Sequence, residues 1–498
     1  MKKSMIKVKF YAVLLLCTLT SCNKFLEVEP VGRTTIPVLF SDMDGIRAAM
    51  AGAYATTYAY YSSHFYLYPE IASDELLLNL SSASESQRDV YNFNASPDDE
   101  TGMVGKVWEE IYVALSNINN ILFYLPNLEE KFPQNKEELQ TYRAEALFLR
   151  ALCHFDLCRV YAQPYNYTAD ASHLGIPILQ QTPGPDDNVS RKSVKEVYDF
   201  IINDLLAAKQ LYTAGANDLH QGANKRFYAS NEAVQALLSR VYLYKGDWDN
   251  CIQSASAVIA AIPLARGDDY THMFFTLNDA GKETIFRLNG LDKSSALLDF
   301  YNFKGESGKL VKPAGQPTDT LLKLFFDPTD IRFSILMQRL NDQGSETDGS
   351  AFVTRKFDAD QTAVDADRQH YNPLVLRVSE LYLNRAEAYW NKGQFGEAVA
   401  DIKQLEARAF NTSVDDITVT SNKDVLNHVI AAERMKELAF EGHRFFDITR
   451  RKEDLQRDAT TTSTVPFISY PNDRFVLPIS QKELDANLNM IGNPTVNN

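Results

Sequence analysis

The chain is short of cysteine, of tryptophan and of positive charge. Its 498 residues include five cysteines and three tryptophans, and 50 basic side chains face 65 acidic ones, a formal net charge of −15. An acidic surface is repelled by nucleic-acid phosphates and by anionic lipid headgroups, which excludes nucleic-acid binding and polybasic membrane attachment. Two cysteines, Cys17 and Cys22, lie close to the N-terminus, leaving Cys153, Cys158 and Cys251. An odd set of three is no disulfide framework, and no Cys-x-x-Cys occurs. Cys153 and Cys158 stand five apart on a predicted helix and point about 140° away from each other. All three read as small buried apolar residues. Catalytic signatures are missing too: there is no His-Glu-x-x-His, no Gly-x-Ser-x-Gly, no phosphate-binding loop and no Gly-x-Gly-x-x-Gly.

What is present begins with an address. Lys2, Lys3, Lys7 and Lys9 form a positive n-region, and Phe10 to Leu19 is an apolar run. That run is too short for a spanning helix, which needs ~20 residues, but suits the h-region of a signal peptide. Leu19-Thr20-Ser21-Cys22 follows in the order of a bacterial lipobox, where the thiol accepts a diacylglycerol and cleavage frees its amine for further acylation. On this reading residues 1–21 are a lipoprotein signal peptide and Cys22 is the lipidation site. The alternative is an ordinary secretory signal with an incidental cysteine. Removal of four signal lysines leaves 46 basic against 65 acidic residues, or −19, on a mature chain of 477 residues. Two or more acyl chains anchor a protein stably where one does not. The rest of the chain is expected to be soluble and tethered, as one domain over 22–498.

Two segments share an internal spacing. In YLYKGDWDNC, Tyr242, Gly246, Trp248 and Cys251 follow at steps of four, two and three, and Tyr389, Gly393, Phe395 and Ala398 repeat those steps in YWNKGQFGEA. The pattern resembles a tetratricopeptide unit, with Pro263 at the expected end of the first. Physically it is a helical hairpin. The glycine ends one helix where φ > 0 is wanted, the aromatic opens the next, and the small residue lets the helices approach. Residues 137–165 read as a long helix ending before Pro164, 43–60 and 104–125 as helices, and Ser193 to Glu196 has capping-box spacing before a helix running to Tyr212. The sum is eight or so helices in four divergent hairpins, which must stack to bury their faces.

Between the hairpins the chain changes character. Residues 67–100 are rich in Ser, Asn and Asp without a helical period, and 289–320 combine glycines and breakers with scattered aromatics. Thr284 to Leu288 and Phe352 to Phe357 alternate like short strands. Long irregular segments on a rigid scaffold are where binding is expected.

Several longer stretches resemble the SusD/RagB family. They are the lipobox followed by FLEVEP, the helix RAEALFLRALCHFDLCRVYAQPY, the RAEAYWNKG hairpin, ERMKELAFEGHRFFDITRRKEDL and the closing LPISQKELDANLNMIGNP. They span nearly the whole mature chain in the family's order. The closing motif departs from the family's usual ending, since Asn493-Pro494 is followed by Thr495 rather than by glycine and tyrosine. The resemblance implies a mainly α, SusD-like fold in an outer-membrane lipoprotein of Bacteroidetes-type bacteria. It implies a SusC-like TonB-dependent transporter as partner, capture of a nutrient, most often a glycan, and action as a lid that traps ligand over the transporter barrel. The lid performs no chemistry, so no catalytic residue, metal ligand or cofactor is assigned.

In the family, a loop after an Asp-Glu pair often supplies the aromatic platform for sugars. Here Asp74-Glu75 is followed by Leu76, Leu77, Leu78, Asn79 and Leu80, with no aromatic until Tyr91. Trp108, Trp248 and Trp390 sit in helices and repeats and read as core. Stacking is therefore expected from Tyr301 and Phe303, which share one face if the segment is extended, with Asn79, Arg88, Asn302 and Lys312 as polar partners. Glu433, Arg434, Glu441, Arg444 and Asp447 read as a structural ion-pair network rather than an acid/base set. Arg143 with Glu145 and Arg385 with Glu387, from the duplicated RAEA, read as helix-packing polar residues. Two other readings stand beside this one. A surface glycoside hydrolase would need two carboxylates ~5–10 Å apart in a cleft, and a tetratricopeptide scaffold would bind only proteins.

Overall fold

The computed structural model describes residues 35–184, 187–213, 219–220, 222–275, 282–290, 295–302, 304–306, 309–311, 313–340, 351–357 and 371–495. Packing divides the chain into residues 1–48 and 49–498. The described part of the first holds helix Ile36–Leu39 and the opening turns of helix Met43–Tyr61. There Asp42 Oδ1 accepts from Gly45 N and Arg47 pairs with Asp44.

Among the described residues the second unit is built on eight helices of 14 residues or more: Met103–Lys131, Lys136–Tyr161, Val194–Thr213, Asn231–Lys245, Trp248–Ala261, Val378–Asn391, Phe395–Ala409 and Lys423–Leu438. The two matching repeats end their first helices alike. Gly246 and Gly393 take φ of 77° and 73°, and the next residue donates back to the carbonyl of Tyr242 or Tyr389 at 2.9 Å. A Cβ would strain that left-handed backbone, which is why glycine stands there. The second helices open on Trp248 and Phe395. Cys251 and Ala398 are fully buried at the crossing. The capping box also forms, since Glu196 N donates to Ser193 Oγ and Ser193 N to Glu196 Oε2.

The duplicated RAEA is used the same way twice. Arg143 reaches Glu129 and Arg385 reaches Asp401, each across its own hairpin. Glu145 and Glu387 instead turn to other elements, Tyr54 and Arg450. One core cluster joins three helices through Leu383, Ala386, Ala398, Ile402, Leu405, Leu426 and Ile430. Cys153, Cys158 and Cys251 are buried free thiols.

Two boundaries differ from expectation. Helix Met103–Lys131 continues through Pro126. Residues 67–100 are not wholly irregular either, since they include most of helix His64–Ile71 and helix Glu85–Tyr91. The second is only seven residues long, too short to show a period, and is started by a Ser84–Gln87 capping box. Among the described residues the strands form five two-stranded antiparallel ladders, including Thr284–Arg287 with Leu374–Arg377 and Met337–Leu340 with Ala351–Thr354. No helix among the described residues is long and apolar enough to cross a membrane.

Candidate functional site

The two loop-rich regions meet. Strand Leu76–Leu78 pairs antiparallel with Gly315–Pro317, with Leu76 opposite Pro317 and Leu78 opposite Gly315. Asn79 N extends the ladder to Ala314 O at 2.8 Å, and Thr318 N closes the other end on Glu75 O at 3.0 Å. A third segment joins them. Thr462 Oγ1 donates to Leu78 O at 2.7 Å, and Asp458 Oδ2 accepts from Thr320 N at 2.9 Å. Tyr91 and Thr461 share a hydroxyl contact of 2.9 Å, and Asn92 Oδ1 takes Thr464 N at 2.9 Å. Arg457, almost fully buried, donates to the carbonyls of Ile71, Ala72, Ser73 and Tyr91. It so satisfies the end of helix His64–Ile71. The result is one surface bearing the amide of Asn79, the guanidinium of Arg88, Gln316 and the hydroxyls of Thr460 to Thr464, beside the partly exposed Leu80.

The expected ligand residues fare differently. Asn79 is half-buried, donates Nδ2 to Ser82 Oγ at 3.1 Å and accepts from Ser81 N at 3.2 Å. Arg88, also half-buried, closes the same loop by donating to Ala83 O at 2.6 Å. Asn302 is half-buried and donates to Phe357 O at 3.3 Å. Tyr301 corrects the expectation of a stacking platform. It ends a helix, Ala296–Tyr301, rather than lying in an extended segment, and it is fully buried. Its ring stacks on Phe357 at 4.3 Å and 5° and meets Phe440 edge-on at 5.5 Å, leaving no face for a ligand. Phe303, Lys312 and Cys22 lie outside the described residues. Of the three tryptophans only Trp108 is buried; Trp248 and Trp390 are half-buried on the repeat surface. The run of hydroxyls from Thr460 to Thr464 was not singled out from sequence. Its signal is composition alone, five successive Thr and Ser.

Behind this surface lies the ion-pair network. Glu433 pairs with Arg332, Arg434 with Asp447, Glu441 with Arg377 and Lys356, Arg444 with Asp74, and Asp447 with Arg450. All five charged residues in question hold elements together. Glu437 at its centre meets Arg332, Arg377 and Arg408. Burial opposes its charge, but the three guanidiniums outweigh burial and hold the carboxyl well below the usual range. A separate groove of about 520 Å³ runs between helix Met103–Lys131 and residues 177–183, 187–189 and 480–487, lined by Trp108, Tyr112, Val113, Leu179 and Asn487. Ser116 and Thr182 meet across it at 3.1 Å, and Trp108 Nε1 donates to Glu483 at 3.4 Å.

Stacked helical hairpins that carry a polar surface made of loops define a helical-repeat protein of the SusD type. Sequence comparison agrees. Residues 335–495 match the SusD family model, and residues 24–243 match the family described as starch-binding and associating with the outer membrane. The chain belongs to the SusD-like family. It is 26% identical to a SusD-like protein of Formosa agariphila, over 98% of this chain and 99% of that one. Among solved structures it is similar to a SusD superfamily protein from Bacteroides thetaiotaomicron, with a TM-score of 0.78, 24% identity and coverage of 91% of this chain and 99% of that one. A surface glycan-binding protein A from Bacteroides fluxus superimposes with a TM-score of 0.71, 20% identity and coverage of 91% and 99%.

Proposed function

We propose that the protein is a surface-exposed, glycan-binding lipoprotein, anchored in the outer membrane through Cys22, that closes as a lid over a SusC-like TonB-dependent transporter and delivers ligand for import. The observation that carries the proposal is the ladder between 76–78 and 315–317. It joins two distant loops into one polar surface on the helical scaffold of a SusD-family chain, which supports the reading. Amides, a guanidinium and hydroxyls at its edge suit the hydroxyls of a sugar. A lid works when ligand contacts made in the closed state outweigh those made in the open state. Binding, not turnover, is the task proposed for such a surface, and Asp74, the carboxylate that leads into its first strand, is engaged with Arg444.

The test uses Cys22→Ala protein, which lacks the acceptor thiol and leaves the membrane fraction. Calorimetry against soluble α-glucans, β-glucans, mannans and xylans should find one class that binds. Asn79→Ala with Arg88→Ala should weaken that binding at least tenfold, a loss of ~1.4 kcal/mol or more, with little change in melting temperature. Unchanged affinity would move the site to the groove beside Trp108. Co-purification with the transporter but no glycan binding would favour a protein-only scaffold, and new reducing ends would favour a hydrolase.

A further inference from the structure

The turn 439–443 between helices Lys423–Leu438 and Arg444–Arg450 follows neither helix. Gly442 has φ of 79°, and Phe440, a bulky residue for which the left-handed region is unfavourable, has φ of 64°. Side chains from elsewhere hold this backbone in place. Lys356 Nζ donates to the carbonyls of Glu437 and Ala439, both at 2.9 Å, and Arg377 Nη2 donates to Glu437 O at 2.6 Å. On the donor side, Glu75 Oε1 accepts from Phe440 N at 3.1 Å, while Glu70 Oε1 accepts from Gly442 N at 2.6 Å and His443 N at 3.3 Å.

Glu70 and Glu75 are both fully buried, and among the described residues the second oxygen of each has no hydrogen-bond partner. The two side chains lie within hydrogen-bonding reach of one another. Two ionised carboxylates in that position would repel in a low dielectric and leave two acceptors unsatisfied. One proton shared between the two side chains removes one charge and turns one carboxyl into a donor for the other. The geometry points to a carboxylic acid–carboxylate pair: we propose that Glu70 and Glu75 share a single proton and form a pH-sensitive clasp. The clasp holds the 439–443 turn against the segment that leads into strand Leu76–Leu78, and so fixes the backbone carrying Asn79.

The surrounding groups favour one proton. Burial pushes both carboxyls upward, Glu75 the further because the charge of Glu70 adds to it. The cations that face the pair are already engaged, Lys356 with Glu441 and Arg444 with Asp74. His443 offers no charge, because burial and nearby arginines keep its ring neutral. Tyr66 and Tyr301, which face Glu70, are buried and held neutral by burial. Loss of the proton to solvent base would leave two buried like charges under the strained turn. An unfolded glutamate releases its proton near 4.5. The folded pair keeps it to higher pH, so its contribution to stability declines as pH rises above 4.5 and is gone once the pair ionises.

Thermal unfolding of wild type, Glu75→Gln and Glu70→Gln is to be followed from pH 5 to 9. Glutamine supplies a permanent donor, so the wild-type midpoint should fall relative to Glu75→Gln as pH rises. Exchange of the Phe440 and Gly442 amides should accelerate at least tenfold more in wild type than in the variant over the same range. Parallel pH profiles would overturn the proposal. Should the variants not fold, assigned carboxyl carbon shifts of the wild-type protein decide the matter: one shared proton persisting at pH 7 is expected, and two ionised carboxylates would refute it.

Discussion

Arg444 grips Asp74 with two parallel hydrogen bonds, Nε to Oδ1 at 2.7 Å and Nη2 to Oδ2 at 2.8 Å, across 370 positions of sequence. The pair joins the start of helix Arg444–Arg450 to the residue two before strand Leu76–Leu78. Both side chains are largely shielded from water, so removal of one leaves the other charge uncompensated. Asp74→Ala should cost ~3–5 kcal/mol, read from the midpoint of denaturant unfolding. Asp74→Ala with Arg444→Met should recover most of that loss. An unchanged midpoint in the single variant would mean that the pair contributes nothing.

Tyr301 is expected to matter for folding and not for binding. Tyr301→Ala removes a fully buried ring from its stack on Phe357 and should destabilise by ~3–5 kcal/mol. Among the described residues the hydroxyl has no hydrogen-bond partner, so Tyr301→Phe should stay within ~0.5 kcal/mol of wild type. Ligand affinity lost in Tyr301→Phe at an unchanged melting temperature would return the residue to the recognition surface.

The two tryptophans differ in the same way. Trp108 is buried against Tyr112 at 4.8 Å and Tyr161 at 4.9 Å, and Trp108→Ala should cost ~3–5 kcal/mol. Trp248 only half covers its ring above Gly246, and its alanine variant should cost less than half as much. Thermal melts of the two variants side by side test the order, and the reverse order would contradict the burial.

His154 should make stability fall in mild acid. It is fully buried, with Nδ1 bonded to Arg150 O at 2.8 Å and Nε2 accepting from Leu179 N at 3.2 Å. Burial pushes its pKa down to about 4, and the neighbouring Arg150 charge adds to this. The unfolded chain then binds a proton at higher pH than the folded chain does. The stability of the neutral ring is complete above pH 6.5 and is lost as pH falls towards 4, by about 3 kcal/mol in all. A ring titration followed by NMR should show a neutral imidazole at pH 5.5. Protonation near pH 6.5 would contradict it.

Helix ends and hairpins were legible because they rest on short-range rules, whereas the partners of the charge network, such as Arg332 and Asp74, lie far along the chain. Gly246 and Gly393 mark turns by their own conformational freedom, Ser193 and Glu196 cap a helix three residues apart, and period and spacing reveal which face of a helix is buried. The family motifs are likewise continuous stretches. The candidate surface was legible only as two separate loops. Nothing local in Leu76 to Leu78 says that it pairs with Gly315 to Pro317, or that Thr462 and Asp458 tie both strands down. Those contacts span 138 positions or more, and the pairing depends on how the helices are stacked. Tyr301 shows the limit most clearly. An aromatic beside glycines and polar residues reads as a platform, yet Phe357 and Phe440 close over it. Sequence by itself determined the repeated scaffold and the family, because both are written in neighbouring residues; tertiary structure alone decided which side chains face the solvent, because burial is set by distant partners that no local pattern names.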